Sequence, residues 1–237
     1  AKRLEKDGIT LGDRVGTVAW NTWRHLEAWY GITGLGAVYH TLNPRLFPEQ
    51  IAWIANHAED RMMLIDLTFV PLLEKLQDKL PLVERFVVLT DGAHMPQTSL
   101  RNAVAYEDWL NEVDDDFAWK SFDENTAAGM CYTSGTTGNP KGVVYHHRGA
   151  YLNALANIAT WEMGSRPVYL WTLPMFHCNG WCFPWTIAAA AGTAVCLRAV
   201  RDDAILAAMK AEKVSHFCGA SVVLAMLVHA DPALKEG

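Results

Sequence analysis

Basic residues are in short supply in this 237-residue chain, with 20 Lys and Arg against 26 Asp and Glu and a net charge of -6. A protein that grips nucleic acid non-specifically needs a basic face to neutralise phosphates, so that class is excluded. Charged residues of both signs reach only 19% while hydrophobic ones reach 51%, which excludes intrinsic disorder and low-complexity architectures. There is no CxxC pair among the five cysteines (131, 178, 182, 196 and 218), so a disulfide scaffold and a zinc ribbon both read poorly. His177-Cys178 with Cys182 matches no zinc spacing, and the cysteines are expected to be buried thiols in a reducing cytosol. The opening AKRLEKDGIT has no apolar h-region and does not read as a signal peptide. Residues 167–197 hold no Asp, Glu, Lys or Arg, yet Pro174, Asn179, Gly180, Pro184 and Gly192 cut them into strand- and helix-sized pieces. That pattern fits a buried strand-helix-strand better than a membrane span. What the chain has in abundance is tryptophan: its ten indoles suit a thick core or a pocket for flat apolar matter.

Two periods alternate along the chain. Strands are expected at Arg14–Trp20, Ala37–His40, Arg61–Asp66 and Arg85–Leu89. Between them Trp23, Leu26 and Tyr30 recur at helical spacing behind Asn21 or Thr22 as N-cap. Pro48 opens a helix with Ile51, Ile54, Ala55 and Ala58 on one face, and another helix covers Val70–Leu80. Residues 106–124 break the rhythm with eight acids and interleaved Trp109, Phe117 and Trp119, an acidic, solvated connector holding one short helix. The alternation then resumes. Strands are expected at Thr126–Thr133, Gly142–His146, Val168–Leu173, Thr193–Leu197 and Ser215–Cys218. Helices are expected at Gly149–Trp161, in a small-residue stretch ending at Ala191, at Asp202–Lys210 with Asp202 capping, and at Ser221–His229. Such alternation predicts an α/β fold of mainly parallel sheets covered by helices.

One segment carries chemistry: Tyr132-Thr133-Ser134-Gly135-Thr136-Thr137-Gly138-Asn139-Pro140-Lys141-Gly142. Four hydroxyls and two glycines fill the six positions 133–138, and Lys141 follows three residues later. Glycines let amide N–H groups converge on an anion, hydroxyls rotate to add donors, and lysine adds a full charge. At ~4 Å and an effective dielectric near 20 that charge gains about 4 kcal/mol against one phosphate charge. The spacing is not that of a P-loop, because the second glycine would fall on Pro140 and Gly142 stands where a hydroxyl should. Nor does it match a dinucleotide fingerprint. His146, His147 and Arg148 extend the local positive character, the two histidines as a strand end beside the loop.

YTSGTTGNPKGVVYHH resembles the phosphate-binding signature of the adenylate-forming (AMP-binding) enzymes, which include acyl-CoA synthetases, luciferases and peptide-synthetase adenylation domains. Leu173–Trp181 (LPMFHCNGW) is similar to the family's next motif, and Trp20-Asn21 with Gly36–Leu46 to the amino-terminal region of its fatty acyl-CoA branch. The details are closest to medium-chain acyl-CoA synthetases and 3-methylmercaptopropionyl-CoA ligases. The resemblance implies a carboxylate–CoA ligase that uses ATP, Mg²⁺ and coenzyme A on a small carboxylic acid. It implies that Thr133, Ser134, Gly135, Thr136, Thr137, Gly138 and Lys141 bind ATP, with the Thr137 hydroxyl on Mg²⁺. His177 becomes the catalytic candidate, lining the acyl-adenylate site with Trp181 and Gly219. With no Asp or Glu in 168–197, the acyl tail is expected to be uncharged. Ser221 stands where many relatives have Pro, which leaves chain-length preference open. Residues 1–237 read as part of the family's large amino-terminal domain, lacking its later part and the small carboxy-terminal domain, and this piece alone is expected to be inactive. No nucleic-acid partner and no transmembrane segment are expected, the location is expected to be cytoplasmic, and a homodimer stays open. The alternatives are an aryl-acid or other adenylate-forming enzyme, or a non-catalytic nucleotide-binding relative.

Overall fold

A computed structural model describes residues 1–133 and 139–236. In chain order the elements are α1 (Lys2–Lys6), β1 (Arg14–Val18), α2 (Trp23–Gly34), β2 (Val38–Thr41), α3 (Pro48–Ala58), β3 (Asp60–Ile65), α4 (Val70–Leu76), β4 (Arg85–Val88), β5 (Val104–Ala105) and α5 (Tyr106–Leu110). They continue with β6 (Ala127–Thr133), β7 (Lys141–His146), α6 (His147–Thr160), β8 (Val168–Trp171), α7 (Phe183–Ala189), β9 (Thr193–Cys196), α8 (Asp202–Glu212), β10 (His216–Phe217), α9 (Ser221–His229) and α10 (Pro232–Lys235). The chain divides into two units, Ala1–Ala19 with Arg24–His147, and Trp20–Trp23 with Arg148–Gly237.

The first unit holds a seven-stranded sheet in the order β5-β4-β3-β1-β2-β6-β7. Every neighbour pair is parallel except β6 with β7, which is antiparallel. Parallel strands need cover on both faces, and the sequence supplies it through helices with one apolar stripe. In α2 the buried residues His25, Ala28, Trp29, Ile32 and Thr33 follow helical spacing, and Trp29 lies fully buried with its ring 4.1 Å from that of Tyr39. The helix starts at Trp23, which puts Thr22 at the cap position and frees the Asn21 side chain for another task. Pro48 opens α3 as its fixed φ favours, and Ile51, Ala52, Ile54, Ala55 and Ala58 point inward. Burying each of the two isoleucines contributes roughly 1.5–3 kcal/mol, and each alanine methyl less.

The acidic connector is less solvated than its charge suggests. Trp109 of α5 is buried, and Arg3 donates to its carbonyl at 3.0 Å while pairing with Asp7 and Glu112 at 2.8 Å each. Lys2 pairs with Asp114 and Lys120 with Glu5. The basic start of the chain thus neutralises part of the acidic run.

The second unit holds the parallel sheet β10-β8-β9, with β8 central and buried. Four expectations need correction here and along the chain. His146 and His147 do not stand beside the hydroxyl-rich loop, because His146 lies opposite Ala127 at the far end of the β6–β7 ladder and His147 begins α6. Helix α7 ends at Ala189, two residues early, since Ala191 takes a left-handed φ of 51°. The cap position of α8 is Arg201, with Asp202 already helical and the Asp203 carboxylate accepting the Ala204 N–H at 2.7 Å. The five cysteines are free but none is fully buried; Cys178 is exposed and the other four are half-buried. Burial still pushes the Cys196 thiol up to about 11 and raises those of Cys182 and Cys218. Among the described residues no helix is long and apolar enough to cross a membrane, and no group of three or more potential metal ligands occurs.

Candidate active site

Thr133 is the last residue of β6, and β6 runs parallel to β2, so the hydroxyl-rich segment leaves the sheet at the carboxyl end of a parallel strand. That is where ligands bind in open α/β sheets. The chain returns as β7, and the antiparallel register sets Lys141 opposite Thr133. The last residue of β6 and the first of β7 thus set a hydroxyl against an ammonium. Both residues are exposed, and among the described residues Lys141 has no carboxylate partner. Ser134, Gly135, Thr136, Thr137 and Gly138 lie outside the described residues. An unpaired exposed cation beside an exposed hydroxyl, at this end of this strand, is a donor set that suits a polyanion.

Two glycines hold the ladder together. Gly142 lies opposite Tyr132, and a Cβ on it would come within 3.1 Å of the Tyr132 ring carbon Cζ. At the other end Gly129 lies opposite Tyr145, and a Cβ there would overlap the Tyr145 phenol. Each aromatic ring covers a glycine on the facing strand, an arrangement that pins register.

The second unit presents His177, Trp181 and Gly219. His177 follows β8 and Gly219 follows β10, so both stand beyond the carboxyl ends of adjacent parallel strands. The Thr172 hydroxyl donates to the Cys218 carbonyl and ties those two strand exits together. His177 is exposed; its backbone N–H donates to the Pro174 carbonyl at 3.1 Å and its Nε2 lies 3.9 Å from the Cys178 thiol. Asn21, whose role the sequence did not reveal, anchors the approach to it. Its amide donates to the carbonyls of Trp171 at 2.9 Å and Leu173 at 2.7 Å, and its oxygen accepts the Met175 N–H at 2.8 Å. Both polar atoms of a buried carboxamide, in three hydrogen bonds, serve one five-residue stretch. Its place next to Trp20 in a quoted motif was the available signal.

Trp181 lies in a left-handed turn: Cys178, Asn179, Gly180, Trp181 and Cys182 have φ of 41°, 39°, 59°, 53° and 65°. For the four that are not glycine this costs roughly 1–2 kcal/mol each. The turn is held by the Asn157 amide donating to the Trp181 carbonyl at 3.3 Å, by the Thr186 hydroxyl donating to the Cys182 carbonyl at 2.9 Å, and by Gly180 passing close to the Trp171 ring. The Trp181 side chain is left 60% exposed, outside the core. Gly219 is half-buried beneath Leu224.

A mainly parallel α/β chain with an anion-suited hairpin at the carboxyl edge of its larger sheet belongs to the nucleotide-binding class. The chain belongs to the AMP-binding enzyme family, whose pattern matches residues 1–236. It is 42% identical over 226 residues to the medium-chain-fatty-acid–CoA ligase of Ectopseudomonas oleovorans, covering 94% of this chain and 41% of that protein. It is 44% identical over 187 residues to the 3-methylmercaptopropionyl-CoA ligase of Ruegeria lacuscaerulensis, covering 78% and 35%. A Mycobacterium tuberculosis fatty acyl CoA synthetase shares the fold with a TM-score of 0.85 at 21% identity, over 98% of this chain and 43% of that one. The chain thus spans less than half the length of the curated relatives it matches.

Proposed function

We propose that the protein containing this chain is an ATP-dependent carboxylate–CoA ligase acting on a medium-chain or methylthio-type acid. The observation that carries the reading is the pairing of Thr133 with Lys141 at the carboxyl end of β6, on either side of the hydroxyl- and glycine-rich connection. In the first step a carboxylate oxygen attacks the α-phosphorus of ATP, the bond to the β-phosphate oxygen breaks, and pyrophosphate leaves. In the second the coenzyme A thiol loses its proton and its sulfur attacks the acyl carbonyl, releasing AMP. Lys141 neutralises charge on the leaving pyrophosphate, and the hydroxyls of Thr133, Ser134, Thr136 and Thr137 with the amides of Gly135 and Gly138 orient it. Mg²⁺, when bound, adds charge neutralisation on the phosphate oxygens, with the Thr137 hydroxyl as its ligand from this chain. His177 orients the incoming carboxylate, and Trp181 and Gly219 line the acyl site. The names of the relatives and the absence of Asp and Glu from residues 168–197 support an uncharged acyl tail. Residues 1–237 form part of the large amino-terminal domain, inactive alone, in a cytoplasmic enzyme.

ATP–pyrophosphate exchange by the complete polypeptide, across a panel of acids, tests this. Exchange is expected with hexanoate, octanoate or 3-(methylthio)propionate, and Lys141→Ala is expected to lower it by roughly 10²-fold with the fold intact. Exchange only with benzoate-type acids would reassign the substrate, and nucleotide binding without exchange would make the protein a non-catalytic relative.

A further inference from the structure

We propose that Tyr132 is a positioning residue for the phosphate-binding hairpin, acting through Gly142 and His57 to hold Thr133 and Lys141 opposite one another. The proposal rests on the reading of that hairpin as the ATP site. Among the described residues strand β7 is the edge of its sheet and pairs only with β6, and its Val143 and Val144 are exposed, so no second neighbour there sets its register. A slip of one residue would carry Lys141 away from Thr133 and turn its side chain to the other face.

The Tyr132 side chain is fixed on three sides. It packs against the buried cluster of Val38, Ala58 and Met130. Across the ladder it fills the space beside Gly142, where even a methyl group would press on its ring at 3.1 Å. Its phenol oxygen lies 2.6 Å from Nδ1 of His57 on α3, and the two rings meet edge to face at 88°. His57 is itself held by stacking on Trp53, with ring centroids 4.7 Å apart. Beneath the tyrosine the His40 ring lies 5.4 Å away, and His40 Nδ1 bonds both oxygens of Asp60 at 2.8 and 2.9 Å with both side chains fully buried. Burial first, and the Asp60 charge second, push the Tyr132 phenol up, so it keeps its proton and can donate it to His57. Strand β6 is therefore bolted to α3 one residue before Thr133, and through Gly142 it fixes β7 one residue after Lys141.

The test uses the complete polypeptide with Tyr132→Phe, Tyr132→Ala, Gly142→Ala and the Tyr132→Ala/Gly142→Ala double variant. Two quantities are measured: amide hydrogen exchange along β6 and β7 without nucleotide, and the Kd of a non-hydrolysable ATP analogue. Tyr132→Phe removes only the bond to His57 and is expected to weaken the analogue about threefold to fivefold. Tyr132→Ala and Gly142→Ala are each expected to weaken it about tenfold and to speed exchange in β6 and β7. The double variant is expected to bind better than the product of the single losses, because the added methyl then has room. Each titration is run to saturation, and a stoichiometry of one nucleotide per chain is expected to hold in every variant, which a general loss of folding would lower. Unchanged exchange and affinity in Tyr132→Ala, or strictly multiplicative losses in the double variant, would overturn the proposal. If the wild type bound no analogue, the ATP reading would fail, while exchange at β6 and β7 would still decide whether Tyr132 fixes the hairpin.

Discussion

The two units use apolar residues differently. In the first, strands β1, β2 and β3 are buried almost throughout, and α2 and α3 each turn a full stripe inward. In the second, only the central β8 is buried to that degree, α6 buries little more than Ala150 and Ala154, and α9 buries Val223 alone. Val222, Leu224 and Val228 of α9 stay exposed, as do Tyr151, Leu152 and Leu155 of α6. A helix as uniformly apolar as SVVLAMLVH normally lies inside a protein. The first unit therefore owes its stability to its own packing, and the second rests on far fewer inward side chains. The difference teaches that apolar content is not core: position relative to a covered sheet face decides.

The largest effect that could break this comparison is at Trp29. Its ring is fully buried against Tyr39, and Trp29→Ala is expected to cost about 3–5 kcal/mol in urea denaturation. Trp181→Ala in the second unit, where the ring is 60% exposed, is expected to stay within about 0.5 kcal/mol of wild type. Equal losses at the two tryptophans would show that the second unit packs the Trp181 indole after all.

Glycines sharpen the same contrast. Gly129→Ala would drive a methyl into the Tyr145 phenol and is expected to cost about 1–3 kcal/mol. Gly219→Ala meets only Leu224 side-chain carbons and Val223 Cβ, at 3.3 to 3.5 Å, and is expected to be close to neutral for stability. Thermal unfolding of the two variants checks both. A cheap Gly129→Ala would remove one of the two ring-over-glycine contacts from the account of the β6–β7 ladder.

How much of this could be read in advance follows the same divide. The repeating strands and the helices at Trp23, Pro48 and Ser221 were legible because apolar spacing, a cap and a proline agree locally. Helices α1 and α10 and strand β5 were not, being too short to show a period. In the site, Thr133 and Lys141 stood out because hydroxyl, glycine and lysine cluster within one stretch. Asn21 did not, since its partners Trp171, Leu173 and Met175 are 150 or more residues away, and nothing local distinguishes a staple from a cap. Gly142 and Tyr132 were visible as letters of a motif, but their contact across the ladder needed the register. The left-handed turn at Trp181 was equally hidden, because only one of its five residues is glycine.

Charge gives a smaller test within the first unit. Partial burial pushes the Asp13 carboxyl up, but the Thr10 N–H at 2.7 Å, the Thr10 hydroxyl at 2.9 Å and the Arg61 guanidinium at 3.0 Å outweigh it. The carboxyl therefore sits below its ordinary value in the folded chain. A lowered acid stabilises above its unfolded pKa, near 3.9, and that contribution is lost as pH falls through the folded value. Asp13→Asn is expected to cost about 1 kcal/mol at pH 7, a gap that closes below about pH 4. A gap that persisted at pH 2–3 would mean that the ring of bonds around Asp13, not its charge, matters.

The smallest effect is the most informative about the second unit. Val228 is 69% exposed and Val222 68%, so serine at both is expected to shift the stability of residues 1–237 by no more than about 0.5 kcal/mol. In a polypeptide of the relatives' length the same pair becomes a probe of cover. If serine there costs about 1.5–3 kcal/mol per site, the valines are buried in that longer polypeptide, and the contrast between the units belongs to residues 1–237 alone. If the cost stays near zero, α9 carries an exposed apolar face in the longer polypeptide too, and the units differ by construction.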